Sequence, residues 1–294
     1  MGKITRAITA DGTARLFFEV STDIVAEAHR IHGTSKTMTA ALGRALTAAS
    51  LMGCMLKNKT DSLTLNFKGD GPAGGIICVS DYKGNVRGCA GDPHIELPPN
   101  KLGKLDVAGA VGKGSFYVAK ETGAVEPYVG LCNIISGEIA EDITEYFYTS
   151  EQTPTACALG VRCEKNADCK SAGGYILQLM PGADELAIRQ IEENLKLIPS
   201  VSEVAALPNA DEIVVSTLFK GFEFEIFDEF DCYYKCNCSR EKFENALISL
   251  GEKELTEMIS ENKDFEMTCR FCDRKQSFTV EELKKFLEIC RKKV

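Results

Sequence analysis

Five cysteines crowd into the last quarter of this 294-residue chain: Cys232-Tyr-Tyr-Lys-Cys236-Asn-Cys238, then a gap of 30 residues, then Cys269-Arg-Phe-Cys272. A Cys-x-x-Cys knuckle presents two sulfur atoms from one tight turn. Cys-x-Cys presents two from an extended stretch, because alternate residues of a strand share a face. Cys236, Cys238, Cys269 and Cys272 therefore read as one tetrahedral thiolate set for a single Zn²⁺, with Zn–S bonds of about 2.3 Å. The x3 spacing of Cys232 turns it to a different face and leaves it a spectator or reserve thiol. Thiolates are also nucleophiles that oxidants convert to disulfides. The same four atoms can thus fold a domain and report on its redox surroundings.

The elements that must position these sulfurs are short. Ser239 is a candidate N-cap for a helix carrying Phe243, Ala246, Leu247 and Leu250, which Gly251 stops. Leu255, Met258 and Ile259 suggest a second helix. Thr279 and Glu282 have capping-box spacing ahead of Leu283, Phe286 and Leu287. The segment from Cys232 has 63 residues, and a core that small supplies only about 3–5 kcal/mol without a staple. Structural zinc contributes about 10–16 kcal/mol in such domains, so loss of the metal should unfold it.

Upstream, Ala14 to Val20, Leu63 to Phe67, Ile76 to Ser80, Val86 to Cys89, Ser115 to Ala119, Glu126 to Gly130 and Gly173 to Met180 read as strands. Thr34 to Leu56 and Glu138 to Tyr148 read as helices. Runs of strands with hairpin spacing, interspersed with helices, suggest an α+β domain over residues 1–180. After Pro181 come short helices around Leu186, Ile191, Leu195 and Ile198, then near Ser202 and Asp211. Such helices are marginal alone and must dock on something. Residues 181–231 hold 3 basic and 12 acidic side chains, a net of -9, while 1–180 sum to -1 and 232–294 to +1. Like charges this close oppose compaction.

The net charge of -9 argues against a nucleic-acid surface. No basic-plus-apolar leader is visible, and the stretch from Met38 to Leu56 carries Arg44 and many small polar residues, so a soluble, buried helix is expected rather than a membrane span. Thirteen cysteines without a leader point to the cytoplasm, where clustered Cys means metal or redox chemistry. Cys54, Cys78, Cys89 and Cys132 lie in apolar contexts and read as buried thiols. Cys157, Cys163 and Cys169 have x5 spacing, uncommon for zinc, and Cys290 stands apart from the ligand set. Gly69-Asp70-Gly71-Pro72-Ala73-Gly74 matches a dinucleotide fingerprint but precedes a strand, so a turn is expected. Gly112-Lys113-Gly114-Ser115 lacks what a phosphate loop needs. His29, His32 and His94 have no partners spaced to complete a site, and Glu141, Asp142 and Glu145 read as a solvated helix face. No catalytic residue is assigned.

Cys236-Asn-Cys238-Ser239-Arg240-Glu241, the gap and Cys269-x-x-Cys272 resemble the signature of the redox-regulated heat-shock protein 33 family, the 33 kDa chaperonins. Gly69-Asp70-Gly71-Pro72, Ser150-Glu151-Gln152-Thr153-Pro154 and the run from Gly173-Gly174-Tyr175 to Met180-Pro181-Gly182-Ala183 agree. The resemblance implies an N-terminal α+β domain (1–180), a helical linker (181–231) and a C-terminal zinc domain (232–294). It further implies an ATP-independent holding chaperone, silent while reduced and zinc-bound. On oxidation such a protein expels zinc, forms Cys236–Cys238 and Cys269–Cys272 disulfides, unfolds its linker and binds unfolded clients under oxidative stress, as a homodimer. Cys157, Cys163 and Cys169 lie outside that pattern. Two other readings of the cysteines stand beside it: a zinc-stapled adaptor without redox switching, and a dithiol oxidoreductase acting through Cys269 and Cys272.

Overall fold

The structure, a computed structural model, describes residues 1–124 and 126–292. In chain order the elements begin β1 (Gly2–Thr9), β2 (Ala14–Val20), α1 (Thr22–His32), α2 (Lys36–Gly53), β3 (Ser62–Gly69), β4 (Ile76–Asp81), β5 (Val86–Ala90) and α3 (Val107–Val111). They continue β6 (Gly114–Glu121), β7 (Tyr128–Asn133), α4 (Ala140–Thr149), β8 (Thr155–Cys163), β9 (Cys169–Leu179), α5 (Glu185–Leu195), α6 (Val201–Val204), α7 (Ala210–Leu218) and β10 (Phe224–Cys232). The last are α8 (Arg240–Leu250), α9 (Glu252–Ser260), β11 (Phe265–Thr268), β12 (Lys275–Phe278) and α10 (Val280–Lys292). Two five-stranded sheets run β10-β1-β2-β9-β8 and β5-β4-β3-β6-β7, and β11 pairs with β12 alone. All pairings between these strands are antiparallel, as the α+β reading requires, and an isolated bridge, Val86 with Tyr234, is parallel.

Alternation dictates the sheet faces. Leu63, Leu65 and Phe67 of β3 point inward and are fully buried, and Phe67 stacks on Phe116 of β6. The helix α2 packs against strands of both large sheets and is therefore buried almost all round. Its Ala40, Ala41, Ala45, Ala48 and Ala49 let neighbours approach closely. At Gly43 a Cβ would sit 2.8 Å from Val25, which is closer than carbon atoms pack. Ser35 caps this helix through the Met38 amide, and Arg44 pairs with Glu138. The Gly69–Gly74 stretch joins β3 to β4, as a turn between strands.

The outer face of the first sheet is covered by the acidic segment. Ala7, Leu16, Phe18, Tyr175 and Leu177 pack against Ile191, Val201, Val204, Val214, Val215 and Leu218 of α5, α6 and α7. Asn194, buried, donates to the carbonyls of Leu218 (3.0 Å) and Lys220 (2.8 Å) and ties α5 to the end of α7. Residues 224–231, expected within a helical linker, and Cys232, expected to open the zinc domain, instead form β10 on the edge of the sheet. Its register sets Asp231, Asp228 and Glu229 opposite Lys3, Arg6 and Thr5 of β1. Lys3 reaches Asp211 (2.6 Å) and Glu229 (3.2 Å), and Arg6 reaches Asp228 (3.2 Å). Part of the acidic excess is therefore matched by cations from a strand more than 200 residues upstream.

By its contacts the chain divides after Lys235, a few residues beyond the expected limit at Cys232. Cys232 is the last residue of β10, opposite Gly2. The Tyr233 carbonyl and Lys235 amide then bond to Val86, and Tyr234 donates to the Gly88 carbonyl. From Cys236 onward a second unit packs α8, α9, α10 and the β11–β12 hairpin around Phe243, Leu247, Leu255, Phe278, Leu283 and Phe286.

Asp142 and Glu19 are buried acidic side chains, and at the first the expectation of a solvated helix face is corrected. Asp142 is buried, and its carboxylate accepts backbone N–H bonds from Ile135, Ser136, Gly137 and Ile139 at 2.8–3.4 Å. It is a cap that gathers the loop before α4, whereas Glu141 is exposed. Glu19 of β2 is 0% exposed and accepts the Cys232 thiol proton at 3.3 Å. Burial, only partly offset by that hydrogen bond, pushes its carboxyl up to about 8. An unfolded glutamate titrates near ~4.3, so between those values the folded protein binds more protons than the unfolded one. Stability should then fall as pH rises through this window. Glu19→Gln is expected to flatten that slope and to be the more stable protein at pH 8. Urea unfolding of both proteins at pH 5 and pH 8 checks this, and identical pH dependence in the two would refute it.

Candidate metal centre

Two arms build the centre. Cys236 and Cys238 lie on extended chain directly after Lys235, and the next residue, Ser239, caps α8 by accepting the Lys242 amide. The second arm is the turn of the β11–β12 hairpin. Cys269 follows β11; its amide donates to the Arg274 carbonyl and its carbonyl accepts from the Asp273 amide, both at 2.9 Å. Asp273 takes a left-handed φ of 54°, which closes the turn and aims Cys269 and Cys272 to one side.

The arms are held by arginines. Arg274 donates to the Cys238 carbonyl at 3.3 Å. Arg240 lies 4.7 Å over the Phe278 ring, donates to the Ser277 carbonyl at 3.3 Å and pairs with Glu282 at 2.6 Å. The sequence places Arg240 only at a helix start. Its role as a clamp depends on the hairpin folding back beside it, which no local signal announces. Glu282 also accepts from the Thr279 amide while Thr279 accepts from the Glu282 amide, the capping box expected there.

All four sulfur atoms lie within 4.8 Å of one another. Cys236 Sγ is 3.7 Å from Cys269 Sγ, and Cys238 Sγ is 3.5 Å from Cys272 Sγ. A regular tetrahedron with bonds of about 2.3 Å has edges of about 3.8 Å, so the four thiols fit a zinc ion. Cys269 is 8% exposed and the other three are half-buried. Burial pushes Cys236 up to about 12. At Cys272 burial acts in the same sense, but hydrogen bonds from the Arg274 amide and the neighbouring thiols outweigh it and hold that thiol below its ordinary range. Four sulfurs this close cannot all carry negative charge without a cation among them.

The remaining candidates fall elsewhere. Cys232 is buried at the end of β10 with Glu19, apart from the four. Cys290 packs at the margin of the second unit's core. Cys54, Cys78, Cys89 and Cys132 are buried, and burial pushes Cys54 up to about 12. Cys157, Cys163 and Cys169 sit on β8 and β9. His29 lies 3.4 Å from Asp168, and His32 and His94 bond to the carbonyls of Gly88 and Gly33; the first two are half-buried and His94 is exposed. Among the described residues no other cluster of His, Cys, Asp or Glu brings three ligand atoms together. Nor, among them, is any helix long and apolar enough to cross a membrane.

Comparison with known proteins accords with this architecture. The family model described as "Hsp33 protein" matches residues 2–279. Proteins named 33 kDa chaperonin from Acetivibrio thermocellus and Ruminiclostridium cellulolyticum are 46% and 44% identical, each alignment covering 97% of both chains. The crystal structure of the 33 kDa chaperonin from Thermotoga maritima superposes with a TM-score of 0.89 at 34% identity, over 99% of both chains. Similarity of this extent, carried through both sheets and past the four-cysteine centre, shows that the chain belongs to the Hsp33 family of chaperones.

Proposed function

We propose that the four-thiol centre is the switch of an ATP-independent holding chaperone that captures unfolded proteins under oxidative stress. The observation that carries this reading is the near-tetrahedral sulfur set joining two arms of a unit with a small core. In the reduced protein Cys236, Cys238, Cys269 and Cys272 hold zinc. The bound ion would supply the positive charge that keeps the sulfurs ionised, and the crosslink that a core this small lacks.

Peroxide oxidises one thiolate to a sulfenic acid with release of water. A second thiol displaces a further water to close a disulfide, and a disulfide no longer ligates. The products are Cys236–Cys238 and Cys269–Cys272. In the folded unit Cys236 lies 3.7 Å from Cys269 and Cys238 lies 3.5 Å from Cys272, sulfur to sulfur across the arms. An extended Cys-x-Cys spans about 6.6 Å between Cα atoms, at the upper limit of what a disulfide bridges. Closing Cys236–Cys238 therefore requires that arm to leave its extended course, which links oxidation to unfolding. The chain enters the centre one residue after its last anchor on Val86, so release there frees the tether that follows β10. Loss of α5, α6 and α7 from the sheet then uncovers Leu16, Phe18, Tyr175 and Leu177 for clients. The active form is a homodimer, acting in the cytoplasm, where reducing conditions hold the resting state.

Zinc release, thiol loss and client light scattering, followed together during peroxide treatment, test the switch. Suppression of aggregation should appear only as metal and four thiols are lost, at near-stoichiometric chaperone. Partner binding that peroxide leaves unchanged would instead identify a zinc-stapled adaptor. Multiple turnovers of a disulfide substrate would identify an oxidoreductase working through Cys269 and Cys272.

A further inference from the structure

We infer that Cys163 and Cys169 form a second redox dithiol, separate from the metal centre, which peroxide closes into a cross-strand disulfide within the β8–β9 hairpin. The two residues are direct partners in the antiparallel register, and a register shift between Arg162 and Cys163 sets them opposite one another. Without that shift the x5 spacing would carry no such meaning. The Glu164 amide donates to the Asp168 carbonyl at 2.9 Å, so 164 and 168 are a hydrogen-bonded pair. Cys163 and Cys169, one step further along, occupy the non-hydrogen-bonded position, where opposed Cα atoms are about 4.5 Å apart and side chains are closest. That separation lies within the range a disulfide spans, about 4.4–6.8 Å.

Both thiols lie on the same face. Cys157 and Val161 of β8 pack into the core that contains α2, and Cys163 continues their alternation, its sulfur 3.8 Å from the Lys36 carbonyl. Lys170 is the extra residue that turns Cys169 to the same side as Ala172, the partner of Val161. Both are half-buried rather than enclosed. Each is near enough to the other for charge on Cys163 to disfavour ionisation of Cys169.

The chemistry balances with hydrogen peroxide as oxidant. One thiol is oxidised to a sulfenic acid as the O–O bond breaks and water leaves. The second sulfur attacks it, an S–S bond forms and another water departs, so two thiols and one peroxide give a disulfide and two waters. Burial pushes Cys163 up to about 11 and Cys169 up to about 12, with Glu96 adding to the shift at Cys163 and Asp23 at Cys169. Thiolate is therefore scarce at neutral pH, and closure is slow.

Trypsin decides the matter, because Lys165 lies between the two cysteines and Arg162 and Lys170 flank them. The intact, zinc-loaded chain is held in excess peroxide well beyond loss of the four centre thiols, until the thiol count no longer falls, then alkylated and digested without reductant. Peptides 163–165 and 166–170 should appear joined, two hydrogen masses below their sum. The joined species should persist in Cys269→Ser, where the metal centre is already broken, and vanish in Cys169→Ser. Recovery of both peptides alkylated, or of either linked to another cysteine or across a covalent dimer, would overturn the assignment. Loss of the centre thiols is read in the same digest, so failure of this pair and failure of the switch are told apart.

Discussion

Replacing Cys269 with serine is expected to melt the chain from Cys236 onward and to loosen α5, α6 and α7, while the two large sheets and α2 survive. The second unit has a core of seven buried residues, Cys269 itself among them. A core of that size supplies only about 3–5 kcal/mol, whereas metal binding to four thiolates is worth about 10–16 kcal/mol at neutral pH. A hydroxyl at Cys269 removes the most enclosed ligand and leaves three thiols crowded without their cation. The two large sheets and α2 depend on none of this, because they make a separate core. Limited trypsin digestion of the reduced protein should release peptides from 240–292 at least about ten-fold faster than in the wild type. Peptides from β2 and β9 should stay protected. A chelator strong enough to strip the reduced wild type should give the same pattern, and Cys290→Ser should not. Metal-free, reduced protein that still resists trypsin from Cys236 to the end of α10 would sink the proposal that metal–sulfur bonds order this unit.

The contrast between what could and could not be read in the residues follows the range of the interactions. The four-cysteine cluster was legible because Cys-x-Cys and Cys-x-x-Cys place sulfur atoms by local backbone geometry. The caps at Ser239 and Thr279 and the alternation of β3 are equally local. β1 and β10 were not legible. They pair with each other across most of the chain, and the Glu and Asp residues of β10 read as a repulsive acidic stretch until Lys3 and Arg6 are set opposite them. Exposed pairs of this kind are worth little individually, so their value lies in fixing register more than in stability. Asp142 looked solvated because nothing local shows that residues 135–139 wrap over it. β8 was missed for a related reason. Its cysteines invite a search for metal spacing, whereas their meaning lies in a bulge in the partner strand.

A carboxylate placed under the acidic segment is expected to switch the chaperone on without oxidant. Val214 of α7 is 0% exposed and packs in the layer over the first sheet. In Val214→Asp an unpaired charge must either stay buried, at a cost of several kcal/mol, or leave with its helix. Helices as short as α5, α6 and α7 are marginal on their own, and Asn194 links α5 to the end of α7, so they should leave together. Their departure exposes the apolar face of Ala7, Leu16, Phe18, Tyr175 and Leu177 on the sheet. Reduced Val214→Asp, with its metal and four centre thiols still intact by assay, should suppress aggregation of an unfolding client at near-stoichiometric amounts. Reduced wild type should not. Trypsin sites at Arg189, Lys196 and Lys220 report whether the helices have left the sheet. Asn194→Ala, which cuts the α5–α7 tie without burying a charge, should give a weaker form of the same phenotype. If those sites open in reduced Val214→Asp and the client still aggregates as though alone, the sheet face beneath α7 is not the client surface. The thiol switch would then have to act through some other part of the chain.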